Sequence, residues 1–238
     1  MAKPNGVVER STVRQVIAPA ERERFFAGLR AAIPYAVATG IVGLPFGLLA
    51  IEAGLSPWAA VVMSLVVYAG SAQFAAVSIV ASGGAVSAAV VAAAMMNSRF
   101  LAMGAAFAPS LPGPAALRAL QGQAVVDTSW AMALRPDGSF DRHYLFGATS
   151  IQYVTWAAGT AIGAFGYSFV PDVQALGLDA VFPAFFLALL IGEARTRLAA
   201  AVAVAGAVIA LILVPFAPIG LPVLVAGTAA LVGLRQCR

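Results

Sequence analysis

The sequence predicts an all-α, polytopic membrane protein with about seven or eight membrane helical segments, some of them broken or re-entrant. Its 238 residues are 61% hydrophobic and only 10% charged, whereas soluble domains carry about 25% charged residues. Several charge-free stretches exceed the roughly 20 apolar residues that a helix needs to cross a bilayer. These stretches are continuous rather than alternating with period two, which argues against a membrane β-barrel.

The charged residues gather between the apolar stretches. Nine of the 24 lie within residues 1–30, and six charge-free stretches follow, at 31–51, 53–98, 100–117, 144–171, 180–192 and 198–234. Basic residues accumulate on the cytoplasmic side of membrane proteins. We therefore expect a basic cytoplasmic N-terminal segment with an interfacial helix over 1–30, and a single transmembrane helical domain over 31–238.

The first three spans contain the irregularities. The span over 31–51 carries Pro45 and Phe46 within GLPFG. In the span over 57–81, Gly70 to Gln73 interrupts the apolar run, and Gln73 lies off the polar face unless the helix opens near Gly70. That polar face has four members, Ser64, Tyr68, Ser71 and Ser78. The span over 85–108 contains Asn97 and Arg99.

The later segments decide the topology. Spans are expected over 144–168, 198–216 and 219–234, with a short segment broken by proline at 180–192. If every early span crosses once and 115–134 does not, all the later arginines lie outside, against the positive-inside rule. Either 115–134 crosses, or an early segment such as 57–81 is re-entrant. Both alternatives place both termini in the cytoplasm.

A faint internal match links EAGLSPW at 52–58 with QALGLDAVFP at 174–183. Broken segments at matching places in two halves are typical of transporters built from inverted repeats. The match would fit a weak inverted repeat.

Charged residues inside apolar stretches are the strongest candidates for a functional site, because burying a charge in a bilayer costs at least about 2.5–3.5 kcal/mol. Arg99 lies between charge-free stretches of 46 and 18 residues. It either snorkels or pairs structurally with Asp127, or it grips an anionic substrate group with Asn97 beside it. Asp127 either is such a partner or carries a coupling proton. Asp179 either caps the helix at 180–192 or joins Asp127 in ion coupling.

Other classes find little support. The basic residues form no dense patch with aromatics, so we expect no nucleic-acid partner. His143 is the single histidine and Cys237 the single cysteine, and neither HExxH nor a phosphate-binding GxxxxGK[ST] loop occurs. We expect neither an enzyme nor a cofactor or metal site.

A set of motifs resembles a known family. It comprises GLPFG at 43–47, GLSPW at 54–58, YAGSAQF at 68–74, N-x-R at 97–99, VDTSWAM at 126–132 and GLDAVFPAFF at 177–186. The chain resembles, over about residues 28–216, the large subunit of the AzlC-type branched-chain amino acid exporters. The resemblance implies a multi-pass permease of the bacterial inner membrane, surrounded by lipid. It also implies a separately encoded, small hydrophobic second subunit of the AzlD type, with about four spans.

On this resemblance we expect a secondary transporter that exports branched-chain amino acids, and the carboxylate of Asp127 offers a route for coupling export to protons. The expected substrate site has six members, Arg99, Asn97, Ser71, Gln73, Phe46 and Tyr68, with Asp127 and Asp179 as coupling-ion residues. Relatives often have His where this chain has Phe100, and Glu where it has Thr128, which removes two titratable groups. Two alternatives stay open: a non-transporting membrane scaffold, and the permease of an ATP-driven system with a separate ATPase.

Overall fold

The computed structural model describes residues 20–170, 184, 187, 190–191, 194, 196–217 and 221–230. Within these residues the regular structure is helical, apart from an isolated bridge between Leu134 and Phe140. The predicted all-α class is confirmed. Asp179 and most of the 180–192 segment lie outside the described residues.

The helices are, in order, α1 (20–31), α2 (Ile33–Glu52), α3 (Pro57–Val66), α4 (Gly70–Ala81), α5 (Val86–Asn97), α6 (Arg99–Phe107), α7 (Ala115–Gly122), α8 (Asp127–Ala133), α9 (Arg142–Gly166), α10 (Arg197–Leu213) and α11 (Leu221–Gly227). Short 3₁₀ turns follow α6, α9 and α11, at Ala108–Ser110, Tyr167–Phe169 and Thr228–Ala230.

Two stretches of helix in the described part are long and apolar enough to cross a membrane. They are Ile33–Glu52 and Val86–Ser110, and the second contains α5, α6 and the following turn. The apolar helices α3, α4 and α10 have 10, 12 and 17 residues. α3 and α4 are each too short for a full crossing, and α10 is at the lower limit of about 17 residues. The chain is a helical membrane protein, and the count of seven or eight segments stays a prediction.

The chain divides into two compact units. Unit 1 comprises Met1–Gly40 and Phe100–Thr155, and unit 2 comprises Ile41–Arg99 and Trp156–Arg238. The sequence predicted a different division, into a cytoplasmic segment over 1–30 and a transmembrane domain over 31–238. That division stays a prediction.

In unit 1, glycines bring helices into close contact. The position of a Cβ on Gly28 falls on the backbone of Tyr144, and a Cβ on Gly147 would meet the backbone of Phe25. Only glycine permits this approach of α1 to the first turns of α9. A cluster of buried apolar side chains, built around Phe107, Val125 and Leu145, forms the core of this unit.

The sequence allowed a single helix over 115–134, but the stretch between Phe107 and Ala133 contains two short helices instead. α7 and α8 are separated by an extended residue, Val126 (φ −124°, ψ 158°). At one end, Phe107 stacks edge-on against Phe140, with ring centroids 5.5 Å apart. At the other end, the amide of Asp141 donates to the carbonyl of Ala133 over 3.0 Å. Both ends therefore lie beside the 135–141 loop.

The middle of this segment reaches further along α9. The hydroxyl of Thr149 donates to the carbonyl of Ala124 over 2.7 Å. Thr149 lies seven residues beyond Arg142, or about 10 Å along the helix axis. The segment thus enters and returns on one side, which favours the alternative in which 115–134 does not cross and an early segment is re-entrant.

Unit 2 contains the other broken segment. α3 ends at Val66 and α4 begins at Gly70, so the span expected over 57–81 is interrupted next to the glycine that the sequence singled out. α4 and α5 are joined by a tight turn containing Gly83 at φ +78°. The core of unit 2 is built on the buried side chains of Phe46, Phe74 and Trp156.

In unit 2, α2 and α9 also meet through glycines. A Cβ on Gly43 would lie 2.8 Å from the carbonyl oxygen of Trp156, and one on Gly47 would overlap that of Thr160. The contacts advance together along both chains, so the helices run parallel. The second member of the sequence match, residues 174–183, lies outside the described residues, so the weak inverted repeat stays a prediction.

Candidate functional site

The break between α3 and α4 is a sharp change of backbone direction. Tyr68 has φ +41°, the left-handed region, and it is the one non-glycine residue with positive φ among those described. For a bulky side chain this conformation costs of order 1–3 kcal/mol and persists only where the surroundings enforce it. Tyr68 is half-buried against the core of unit 2.

A buried hydrogen-bond network supplies that enforcement. The side-chain oxygen of Gln73 accepts from the indole N–H of Trp156 and from the amide of Ala69, both over 3.2 Å. The Gln73 amide group donates to Ser64 Oγ over 3.1 Å, and Ser64 in turn bonds Thr160 Oγ1 over 2.9 Å. Because Ala69 is the N-cap of α4, Gln73 satisfies an amide that the helix itself leaves unpaired.

The network also explains how Gln73 joins the polar face of α3. On one continuous helix Gln73 would point away from Ser64, whereas the turn at Tyr68 brings the two side chains together. Gln73, Ser64 and Thr160 are fully buried. Unpaired polar groups are costly in an apolar interior, so this saturated network fixes the geometry of the break.

An aromatic cluster lies against the same break. Phe46 stacks on Trp156 with centroids 5.6 Å apart and meets Phe74 edge-on at 5.3 Å. Gly70 permits α4 to begin directly on this cluster, since a Cβ there would lie 3.1 Å from the Trp156 ring. Phe46, expected from the sequence to contact substrate, is completely buried here.

Arg99 lies at the start of α4. Its Nη2 donates to Ser71 Oγ over 3.0 Å, and Ser71 is the second residue of α4. The first amides of a helix have no partner within that helix, and its N-terminus carries about half a positive charge. A guanidinium and a helix N-terminus therefore converge on the Ser71 hydroxyl, which creates a place suited to an anionic group.

Asn97 lies two residues before Arg99, at the end of α5. Its side-chain oxygen is shielded from solvent and has no hydrogen-bond partner among the residues that the structure describes. A shielded acceptor without a partner is costly, and it invites a donor from a ligand.

Five of the six residues expected to bind substrate lie around one break, and the sixth, Asn97, is two residues before Arg99 in the chain. Gln73, Phe46 and Tyr68 form or support it, while Ser71 and Arg99 meet at the start of α4. Asp127 belongs to unit 1, where it is exposed in the first turn of α8. Asp179 lies outside the described residues.

Thr160 was not predicted from the sequence as a member of this site. It lies four residues after Trp156, on the polar stripe of α9 that includes Thr149 and Gln152, and this helical spacing was the available signal. In the described part of the chain, no three His, Cys, Asp or Glu side chains come together as a metal site would require.

Comparisons with known proteins agree with this architecture. The sequence profile of the AzlC protein family matches residues 34–170, more than half of the chain. An inner membrane protein of Escherichia coli K12, YgaZ, is 28% identical over 181 residues, covering 69% of this chain and 72% of that protein. No solved structure gives a significant match. The chain is a membrane protein of a transport-related class, and it belongs to the AzlC family.

Proposed function

We propose that this protein is the large subunit of a secondary transporter that exports branched-chain amino acids across the bacterial inner membrane. The observation that carries the proposal is the contact of Arg99 with Ser71 in the first turn of α4. An arginine at the mouth of a broken membrane helix is the arrangement that anionic substrate groups use in transporters.

An amino acid presents a carboxylate, an ammonium and a side chain. The carboxylate takes the fork of Arg99 and the N-terminal amides of α4. The unpartnered oxygen of Asn97 is an acceptor and suits the ammonium. Tyr68, half-buried at the break, supplies apolar surface for a short branched side chain, and the buried Phe46 cluster supports it from behind. On this arrangement we expect leucine, valine, isoleucine and methionine as substrates.

The assembly and the energy source are parts of the same proposal. A small hydrophobic subunit of about four spans completes the transporter, and the membrane potential or proton gradient drives export. Asp127 and Asp179 are the candidates for carrying a proton. Both termini lie in the cytoplasm.

The test is export of labelled leucine, valine and methionine from preloaded cells that express the chain with its small partner. Arg99→Gln removes charge-assisted hydrogen bonds worth about 1.5–3 kcal/mol, so export falls about tenfold or more. Arg99→Lys keeps the charge without the fork and retains part of the activity.

Arg197→Gln is the matched control, because Arg197 is exposed at the start of α10 and the charge change is the same. Its export should equal that of the parent. Undiminished export by Arg99→Gln at normal membrane levels would remove Arg99 from the site. A parent that exports none of the three amino acids would refute the function itself.

A further inference from the structure

A charged cleft in unit 1 is separate from the α4 break. It has a volume of about 410 Å³ and lies where α1, the end of α6 and the 135–143 loop meet. Its lining includes Arg24, Arg135 and Arg142, with Glu21 and Asp141 as the acidic members. Three guanidinium groups face two carboxylates, so the lining carries a surplus of positive charge.

Asp141 organises the cationic side of this cleft. Arg24 Nη1 and Arg135 Nη2 both donate to the same oxygen, Asp141 Oδ2, each over 2.7 Å. The other oxygen accepts from the amide of Tyr144 and caps α9. Burial alone would raise the pKa of Asp141, but the hydrogen bonds from Arg135, Tyr144 and Arg24 outweigh burial and hold that pKa below its usual value. Asp141 is therefore a fixed anion shared by two cations.

Arg24 and Arg135 have further hydrogen-bond donors for a ligand. Each guanidinium has five N–H groups, and within the described residues each of these two arginines donates from one nitrogen to Asp141. Arg142 donates to Glu21 over 3.3 Å and to His143 Nε2 over 2.9 Å. The remaining donors of Arg24 and Arg135 surround a cavity large enough for a tetrahedral oxyanion.

The depth of the cleft indicates where that oxyanion comes from. Arg142 and His143 directly precede the charge-free stretch 144–171. If α9 crosses the membrane, as the sequence predicts for 144–168, this charged first turn would lie in the headgroup layer. On α1, Phe26 is exposed and Arg22 lies 5.6 Å from its ring centroid, a pairing of apolar and cationic groups expected at a membrane interface.

We propose that this cleft binds a phosphate group, supplied by the headgroup of an anionic phospholipid. Arg24 and Arg135 hold the phosphate oxygens, and Asp141 positions both guanidinium groups. Arginine clusters between helices on the cytoplasmic side are suited to such headgroups. This site is independent of amino acid export.

The test uses the purified full chain in a zwitterionic detergent. Apparent thermal stability is measured during titration with dioctanoyl phosphatidylglycerol, dioctanoyl phosphatidylcholine, or inorganic phosphate. Phosphatidylglycerol should stabilise the protein saturably, and phosphatidylcholine, whose choline offsets the phosphate charge, should not. If inorganic phosphate is as effective as phosphatidylglycerol, the phosphate site stands and its source is soluble. If neither anion acts more strongly than phosphatidylcholine, the proposal is overturned.

Three variants test the assignment of residues. Arg135→Gln leaves Asp141 paired with Arg24 and should weaken phosphatidylglycerol binding about tenfold. Arg30→Gln makes the same charge change on α1 outside the cleft lining and should bind like the parent. Asp141→Asn keeps a good helix cap but releases two guanidinium groups, so binding should tighten. If the cluster only stabilises the fold, Asp141→Asn should bind phosphatidylglycerol more weakly than the parent. Equal binding by Arg135→Gln and Arg30→Gln would also refute the site.

Discussion

Gln73 is the residue whose removal most sharply tests the geometry of the helix break. Replacing it with leucine keeps much of its volume but removes its oxygen and its amide group. The indole N–H of Trp156 and the amide of Ala69, both of which donate to that oxygen over 3.2 Å, then have no acceptor. Ser64 retains its bond to Thr160 and adds little to the cost.

The magnitude follows from two buried donors. Each unsatisfied donor costs about 1–3 kcal/mol, so Gln73→Leu should destabilise the protein by about 2–6 kcal/mol. For a chain of this length 1 kcal/mol corresponds to roughly 2–4 °C, so the apparent melting temperature should fall by at least about 4 °C. Export should fall as well, because the start of α4 loses the contact that holds it in place.

Thermal unfolding of the detergent-solubilised protein measures this effect, with Ser78→Ala as the control on the same helix. Trp156→Phe removes one donor as well as the bond, so combining it with Gln73→Leu should cost less than the sum of the two single changes. A drop of less than 2 °C for Gln73→Leu, or strict additivity in the double variant, would refute the role given to this network.

Four further outcomes are expected. Gly47→Ala forces a methyl group onto the backbone of α9 and should destabilise by about 1–3 kcal/mol, whereas Gly104→Ala, with nothing within 4 Å, should be neutral or mildly stabilising, as thermal unfolding will show. A reporter fused after Gly113 should give a cytoplasmic signal, and a periplasmic one would restore a crossing at 115–134. Because the pKa of Asp141 is lowered on folding, its stabilisation is present above the usual value of 3.8 and is lost as pH falls below it. Between pH 5 and pH 3, the melting temperature should therefore fall more for the parent than for Asp141→Asn. Tyr68→Gly should relieve the left-handed backbone yet lower export, since the side chain that it removes borders the break.

The sequence was informative wherever a residue violated the apolar background. Gly70, followed by Ser71 and Gln73 inside an apolar run, predicted the break. Arg99 stood out as a charged residue between two long charge-free stretches, which made it a candidate for the site. Apolar periodicity could not show which polar side chains meet, because Ser64 and Gln73 share a face only after Tyr68 turns the backbone. Long-range pairs such as Gln73 with Trp156 are set by tertiary packing rather than by local sequence.

The fate of residues 115–134 shows why the topology needed the structure. Their composition allowed a helix that crosses the membrane. The positions of the arginines required only that the number of crossings before Arg135 change from odd to even, and did not show which segment is responsible. Val126 excludes a single crossing helix there, because an extended residue between α7 and α8 leaves two helices of 8 and 7 residues, each under half a bilayer.

The two ion pairs of α1 then constrain the side. Arg24 contacts Asp141 over 2.7 Å and Arg142 contacts Glu21 over 3.3 Å, so α1 and the start of α9 must lie on the same face of the membrane. We therefore predict an even number of crossings between them. If α2 crosses once and 115–134 does not cross, the residues from α3 to α6 would have to supply an odd number of crossings. Two full spans there would break this count, so we predict that the segment interrupted at Tyr68 turns back to its own side. The reporter fusion after Gly113 tests this prediction, because a periplasmic signal there would require 57–81 to cross fully.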